Sequence, residues 1–308
     1  MSLEIAAFLR ASADSPFPQV AYIKLLSLQL TELETFISLC VQNADKWASE
    51  GFGGYIEPGA LTSQASGLVL MTPKLNLTAA KASMEPLTSF AASLGNIAIN
   101  NSVETSPSYY SAYQEYLAPN EEKVGFGLAL GSRLMPKSQF IGTTNQNELT
   151  NALVNISQQV SVPTGELNPS FLAYGAPLQI LVVAPSSYAL PNGVDTSSIT
   201  PAWRSATWHI IAGQGISPQA SVAEYKSAFQ KAHSIAQQLA NVAGPGSGAY
   251  QNEADTFQDD YEDVFWGQAN YQKLLGIKKE VDPGNLLTCH QCVGWQQESK
   301  RYGCYPSI

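Results

Sequence analysis

The chain has 308 residues, 44% of them hydrophobic, enough to bury a sizeable core and to exclude disorder over most of its length. Charged residues make up 13%, about half the roughly 25% typical of soluble domains, and 16 basic against 25 acidic side chains give a net charge of −9. No stretch of sequence gathers the basic residues and none approaches the roughly 18 apolar residues of a spanning helix, so neither nucleic acid nor a membrane is expected as a partner.

Residues 1–20 show no strong period, and Ser15-Pro16-Phe17-Pro18 has the composition of a linker. Met1-Ser2-Leu3-Glu4 lacks a basic region and Arg10 interrupts the short apolar run, so no signal peptide is read there. Residues 21–30 read as a strand. Leu33, Phe36, Ile37, Cys40, Ala44 and Trp47 then follow the i, i+3, i+4, i+7 spacing of an amphipathic helix. Residues 51–57 and 65–72 are apolar, turn-bounded strands, 76–94 a helix ended by Gly95, 97–103 a strand and 107–117 a short aromatic helix. Strands are predicted over 125–135, 178–184 and 203–212, with a helix over 145–160. A long helix carries Val222, Tyr225, Phe229, Ile235, Ala236 and Leu239, and a last one runs over 259–281 to the stop Asp282-Pro283-Gly284. Single helices do not regularly separate single strands. The expected fold is therefore α+β, a large antiparallel sheet flanked by helices, and not a doubly wound parallel sheet.

The sequence contains no GxGxxG, P-loop or GxSxG elbow, and Gly244-Pro245-Gly246-Ser247-Gly248 follows a helix instead of opening one. Cys40 reads as a small buried hydrophobe. Cys289, Cys292 and Cys304 crowd the last twenty residues and admit three readings: a zinc knuckle, a redox dithiol or a structural disulfide. The disulfide is favoured, with Cys304 expected to pair with Cys289 or Cys292, and no metal site is expected. Asn76-Leu77-Thr78, Asn100-Asn101-Ser102 and Asn155-Ile156-Ser157 are glycosylation triplets that fit a secretory history. His209, on the strand face opposite Trp208 and Ile210, is read as a half-buried structural histidine, His233 as solvated on its helix, and His290 is assigned no role.

Two C-terminal stretches carry a resemblance. They are Ser247-Gly248-Ala249-Tyr250-Gln251-Asn252-Glu253-Ala254-Asp255 and Phe265-Trp266-Gly267-Gln268-Ala269-Asn270-Tyr271-Gln272-Lys273-Leu274-Leu275, running on into Asp282-Pro283-Gly284. In order and spacing, residues 248–294 resemble the C-terminal region of the berberine-bridge-enzyme-like FAD-linked oxidases of the vanillyl-alcohol-oxidase superfamily. Gly131-Ser132-Arg133-Leu134-Met135-Pro136 and Pro201-Ala202-Trp203-Arg204 look like parts of that family's substrate domain. The resemblance implies a linker-like start over 1–20, a substrate-domain-like region over 21–245, and a berberine-like return segment with its cysteine tail over 246–308. It implies FAD as cofactor and a small organic metabolite or sugar-like alcohol as substrate. The family's Gly-rich pyrophosphate loop has no counterpart here, so the chain reads as the C-terminal part of a secreted oxidase, truncated or split from a separate flavin-domain polypeptide. The other reading is a non-catalytic remnant, or a flavin-independent acid–base enzyme that keeps the substrate pocket.

The resemblance places Tyr250, Asn252 and Glu253 beside the flavin ring. Asn252 would offer its amide to the ring edge, and Asn270 and Tyr271 would line the same wall. Many relatives carry a second tyrosine where Glu253 stands. A carboxylate ionised at neutral pH would replace that phenol as proton acceptor, with Tyr250 orienting the substrate hydroxyl. On an extended segment Tyr250 and Glu253 lie on opposite faces. Both can face a substrate only if the strand carries a bulge or bend, for which Gly246 and Gly248 offer slack.

Overall fold

The computed structural model describes residues 17–59, 65–118, 127–160, 178–184 and 197–303, with single positions 190, 193, 195, 305 and 308. Its centre is a seven-stranded sheet: β1 (Gln19–Leu26), β2 (Gly53–Glu57), β3 (Ala65–Thr72), β4 (Ala98–Thr105), β5 (Gly127–Pro136), β6 (Leu178–Val182) and β7 (Ala206–Ile216). The order is β4-β1-β3-β2-β6-β7-β5, and every neighbouring pair is antiparallel. The expected α+β class is what forms.

Four helices cover one face: α1 (Leu30–Ser49), α2 (Leu77–Ser93), α4 (Thr143–Gln159) and α5 (Val222–Ala243). The stripe read from sequence on α1 is the stripe that is buried, with Phe36, Ile37, Cys40 and Trp47 among its members. The helix starts at Leu30, nearer than the expected strand allows, because the Glu32 carboxylate reaches back to the Gln29 N–H at 2.7 Å and fixes the first turn there. Ser221 and Glu224 start α5 with the same reciprocal bonds. Asn76 accepts the Ala79 N–H at the start of α2, and Asn155 on α4 donates to Gln238, so two of the three glycosylation triplets have their asparagines engaged. Among the described residues no helix is long and apolar enough to cross a membrane.

Over part of the other face lies α3 (Tyr109–Ala112), which continues into a π turn at Tyr113–Leu117. Ala112 and Tyr116 pack there on Val20, Val69 and Met71. Register sets one row across this face: Tyr22, Val69, Tyr55, Leu181, His209 and Leu134 are successive cross-strand partners.

β5 lies close against α5. A Cβ at Gly131 would stand 2.4 Å from the Ala232 carbonyl oxygen and 3.1 Å from the Ala236 Cβ. Gly131→Ala is therefore expected to push helix from sheet and destabilise the fold by about 1–3 kcal/mol, read as a lower urea midpoint with an unchanged slope.

The expected last helix is two helices, α6 (Tyr261–Trp266) and α7 (Gln268–Val281). Gly267 between them has φ +76° and lies against Pro201, whose Cδ is 2.8 Å from where a Cβ would be; that backbone breaks the helix. At the end of α7 the Asp282 carboxylate pairs with Lys278 and accepts the Leu286 and Leu287 N–H groups, each at 2.9 Å. The Lys278 hydrogen bond, followed by these amides, pulls the Asp282 pKa down to about 2. A carboxyl depressed in the folded state adds stability above its unfolded pKa of about 3.9 and loses it as pH falls towards 2. Asp282→Asn should therefore flatten the loss of thermal stability between about pH 4 and pH 2, followed by scanning calorimetry.

Cys289 is disulfide-bonded to Cys292, with Cα atoms 5.2 Å apart. The turn closed by the Cys292 N–H on the Cys289 carbonyl brings the two together, in place of the expected bridge to Cys304. Cys304 lies outside the described residues. Cys40 is free and buried, as its place on α1 implied.

Candidate active site

From Trp208 to Ala212 the side chains of β7 alternate between the faces. Trp208 and Ile210 enter the helix-covered core, and His209 points to the other face, where it is fully buried. Just before β7, a 3-10 turn at Pro201–Arg204 presents Trp203. Arg204 anchors that turn on Asp195, with Nε–Oδ2 at 2.7 Å and Nη2–Oδ1 at 3.2 Å, and its hydrogen bonds hold the Asp195 carboxyl far below the usual range.

The Tyr250 segment is led in by Gly244 and Gly246, both with φ near +75°. It is fixed by two long-range bonds, Leu134 N–H to the Gly248 carbonyl at 2.8 Å and Ala249 N–H to the Val264 carbonyl at 3.1 Å. The chain then folds into a 3-10 turn over Gln251–Glu253, closed by the Glu253 N–H on the Tyr250 carbonyl at 3.0 Å. In 3-10 geometry residues i and i+3 eclipse. The bend that Tyr250 and Glu253 need in order to share a face is thus this turn, not a strand bulge.

Trp203, His209 and Tyr250 form a triangle of edge-to-face rings, with centroids 5.7, 6.0 and 6.2 Å apart. The Glu253 Oε2 lies 3.6 Å from the His209 Nδ1. This is just beyond hydrogen-bonding distance and well within reach of an ion pair. The Glu253 side chain is 31% exposed and the His209 side chain 0%, so the carboxylate is the member of the pair that an incoming molecule meets. A carboxylate, an imidazole and a phenol so arranged can take up and redistribute a proton.

Asn252 shares the turn and is exposed; its amide Nδ2 donates to the Tyr250 hydroxyl at 2.7 Å. Gln251 faces away, donating to the Gln291 carbonyl and to the Cys292 sulfur. Asn270 and Tyr271 have other work. Asn270 donates to the Ile199 carbonyl at 2.9 Å, and Tyr271 is buried among Tyr261, Phe265 and Trp266, accepting the Gly294 N–H. Both tie the C-terminal segment to itself and to the loop before β7.

His209 and Trp203 are the members that sequence reasoning passed over. Strand alternation already put His209 on the face opposite Trp208, but nothing local said that Glu253 would lie over it. His233, expected to be solvated, instead has its Nδ1 2.5 Å from the Asp255 Oδ2. Among the described residues no group of three or more His, Cys, Asp or Glu side chains is placed to hold a metal ion.

Residues 249–294 match the family model described as berberine and berberine-like. The chain is 31% identical over 288 residues to the FAD-linked oxidoreductase ffsJ of Aspergillus flavipes, a match covering 86% of this chain and 44% of that protein. The VAO-type flavoprotein MtVAO615 of Myceliophthora thermophila C1 shares the fold at a TM-score of 0.71 and 20% identity, over 91% of this chain and 47% of that one. Glucooligosaccharide oxidase from Acremonium strictum does so at 0.60 and 16% identity, over 90% of this chain and 56% of that one. The chain thus spans less than half the length of the curated relatives with the broadest matches.

Proposed function

We infer that this chain, a berberine-bridge-enzyme-like protein of the vanillyl-alcohol-oxidase superfamily, supplies the substrate-presenting part of an FAD-linked oxidoreductase acting on a small organic or sugar-like alcohol. The observation that carries this reading is the placement of Glu253 and Tyr250 on one turn of the berberine-like segment, with His209 behind the carboxylate at 3.6 Å. When bound, the flavin supplies the acceptor for the hydride equivalent that leaves the substrate carbon. The residues of the turn fit such a group: Asn252 is exposed and its amide offers both a donor and an acceptor to a ring edge. Glu253 takes the proton of the substrate hydroxyl. His209, buried behind it, stabilises or shares the proton that Glu253 acquires. Tyr250 orients the hydroxyl, its own phenol oxygen being held by Asn252 at 2.7 Å. Trp203 walls the site and keeps water from the imidazole.

A test needs the chain joined to a flavin-binding portion such as the remaining length of its relatives. Alcohol-dependent flavin reduction or peroxide release by that assembly, above the flavin portion alone, is the expected result; its absence over a panel of small alcohols and oligosaccharides would sink the reading. The 308-residue chain by itself is expected to purify with well under one flavin per chain, because the phosphate grip of such cofactors comes from backbone N–H groups of a dedicated loop. Stoichiometric, tightly held flavin in its absorption spectrum would overturn that expectation. A second reading, flavin-independent acid–base chemistry, is favoured by the Glu253–His209 pair alone, which needs no cofactor to move a proton.

A further inference from the structure

A set of buried charged and amide groups lies where β5, α5 and residues 255–260 meet. Asp255, two residues beyond Glu253, has its carboxylate almost fully buried. Its Oδ2 is 2.5 Å from the His233 Nδ1 on α5, and its Oδ1 accepts the Phe257 N–H at 3.0 Å. Arg133, 2% exposed on β5, donates to the Gln258 Oε1 at 3.1 Å; burial lowers its pKa, and the charges of Asp260 and Asp255 oppose that. Gln291 closes the set by donating to the Gln258 carbonyl at 2.8 Å.

The 3-10 turn that carries Glu253 is closed by a single backbone hydrogen bond, and one such bond does not hold three residues in place. Its position is therefore set by what grips its two ends, together with the Gln251 amide that donates to the Gln291 carbonyl and the Cys292 sulfur. Upstream the grip is Leu134, through its N–H to the Gly248 carbonyl. Downstream it is the buried Asp255, whose desolvated carboxylate is costly anywhere but beside its donor. Leu134 and Arg133 are consecutive on β5, and Leu134 is the cross-strand partner of His209. The same strand thus carries in Leu134 both the histidine's neighbour and the upstream anchor, and in Arg133 a donor to Gln258, three residues beyond Asp255.

We propose that Asp255, held by His233, is a positioning residue that sets the Glu253 carboxylate beside His209. Its catalytic meaning rests on the reading of Glu253 as the proton acceptor, while its structural content does not. His233 is 30% exposed on a helix surface, so His233→Ala removes the donor without emptying the core. In that variant of the full chain, amide hydrogen exchange over residues 249–256 is expected to rise about tenfold or more while β7 keeps its protection. His233→Gln, which restores an N–H donor, is expected to return exchange to within about twofold of wild type. Exchange in His233→Ala within about twofold of wild type, an equal rise over β7, or a Gln variant as fast as the Ala variant would each overturn the proposal. In a flavin-loaded assembly that turns over, His233→Ala should lower kcat by about tenfold to 10²-fold with KM within about twofold, and His233→Gln should restore it. A wild-type assembly that does not turn over defeats the oxidoreductase reading, and the exchange comparison still decides the positioning.

Discussion

Glu253→Gln is expected to lower kcat of the flavin-loaded assembly by about 10²–10⁴-fold, the span typical of a general base. The substitution keeps the shape of the side chain. It also leaves the bond that closes the turn, because that bond runs from the backbone N–H of residue 253 to the Tyr250 carbonyl. What it removes is the proposed proton acceptor, the carboxyl group 3.6 Å from the His209 Nδ1. KM should move far less than kcat, since the amide still contacts a bound hydroxyl. Steady-state rates on one alcohol substrate decide it: a loss smaller than about threefold takes Glu253 out of the proton transfer.

Trp208→Ala is expected to cost about 3–5 kcal/mol of folding stability, a large share of the roughly 5–15 kcal/mol that holds a typical domain. Trp208 is fully buried near the start of β7 and meets Phe140 edge-on, with ring centroids 4.7 Å apart. Truncation leaves a cavity beside Phe140 on the helix-covered face of the sheet, in a close-packed core that relaxes only in part. Trp208→Phe should cost much less than that, about 1–2 kcal/mol. The smaller ring empties only part of the space, and the indole Nε1 is buried without a hydrogen-bond partner, so its removal relieves a desolvated donor. Urea unfolding of the two variants checks both values. A Phe variant as unstable as the Ala variant would show that a six-membered ring does not fill any useful part of the indole's space, and would overturn the graded expectation.

Local chemistry was legible from the start. The buried stripe of α1 was visible as a 3.6-residue period, and the eight residues of β3 as a turn-bounded apolar run, because periodicity records which face of an element leaves water. The Tyr250-Gln251-Asn252-Glu253 segment and the Asn270-Tyr271 helix were legible as a family signature. A signature survives without any knowledge of which groups end up side by side. The break at Gly267 was missed because a glycine inside a helical pattern reads as a tolerated one until Pro201 is seen to lie against it.

By itself, then, the sequence determined most of the elements and, from their order, the α+β class, because these rest on patterns among residues within a few positions of one another. Tertiary structure alone decided the strand order, the pairing of β2 with β6, and the bonds Leu134–Gly248 and Ala249–Val264 that carry the Glu253 turn to His209. It likewise decided that Cys289 takes Cys292 as its partner and that His233 meets Asp255. The physical reason is common to these cases. A side chain's face is set by the local backbone repeat, whereas its neighbour across space is set by register and by hydrogen bonds between segments far apart in the chain, which no local pattern encodes.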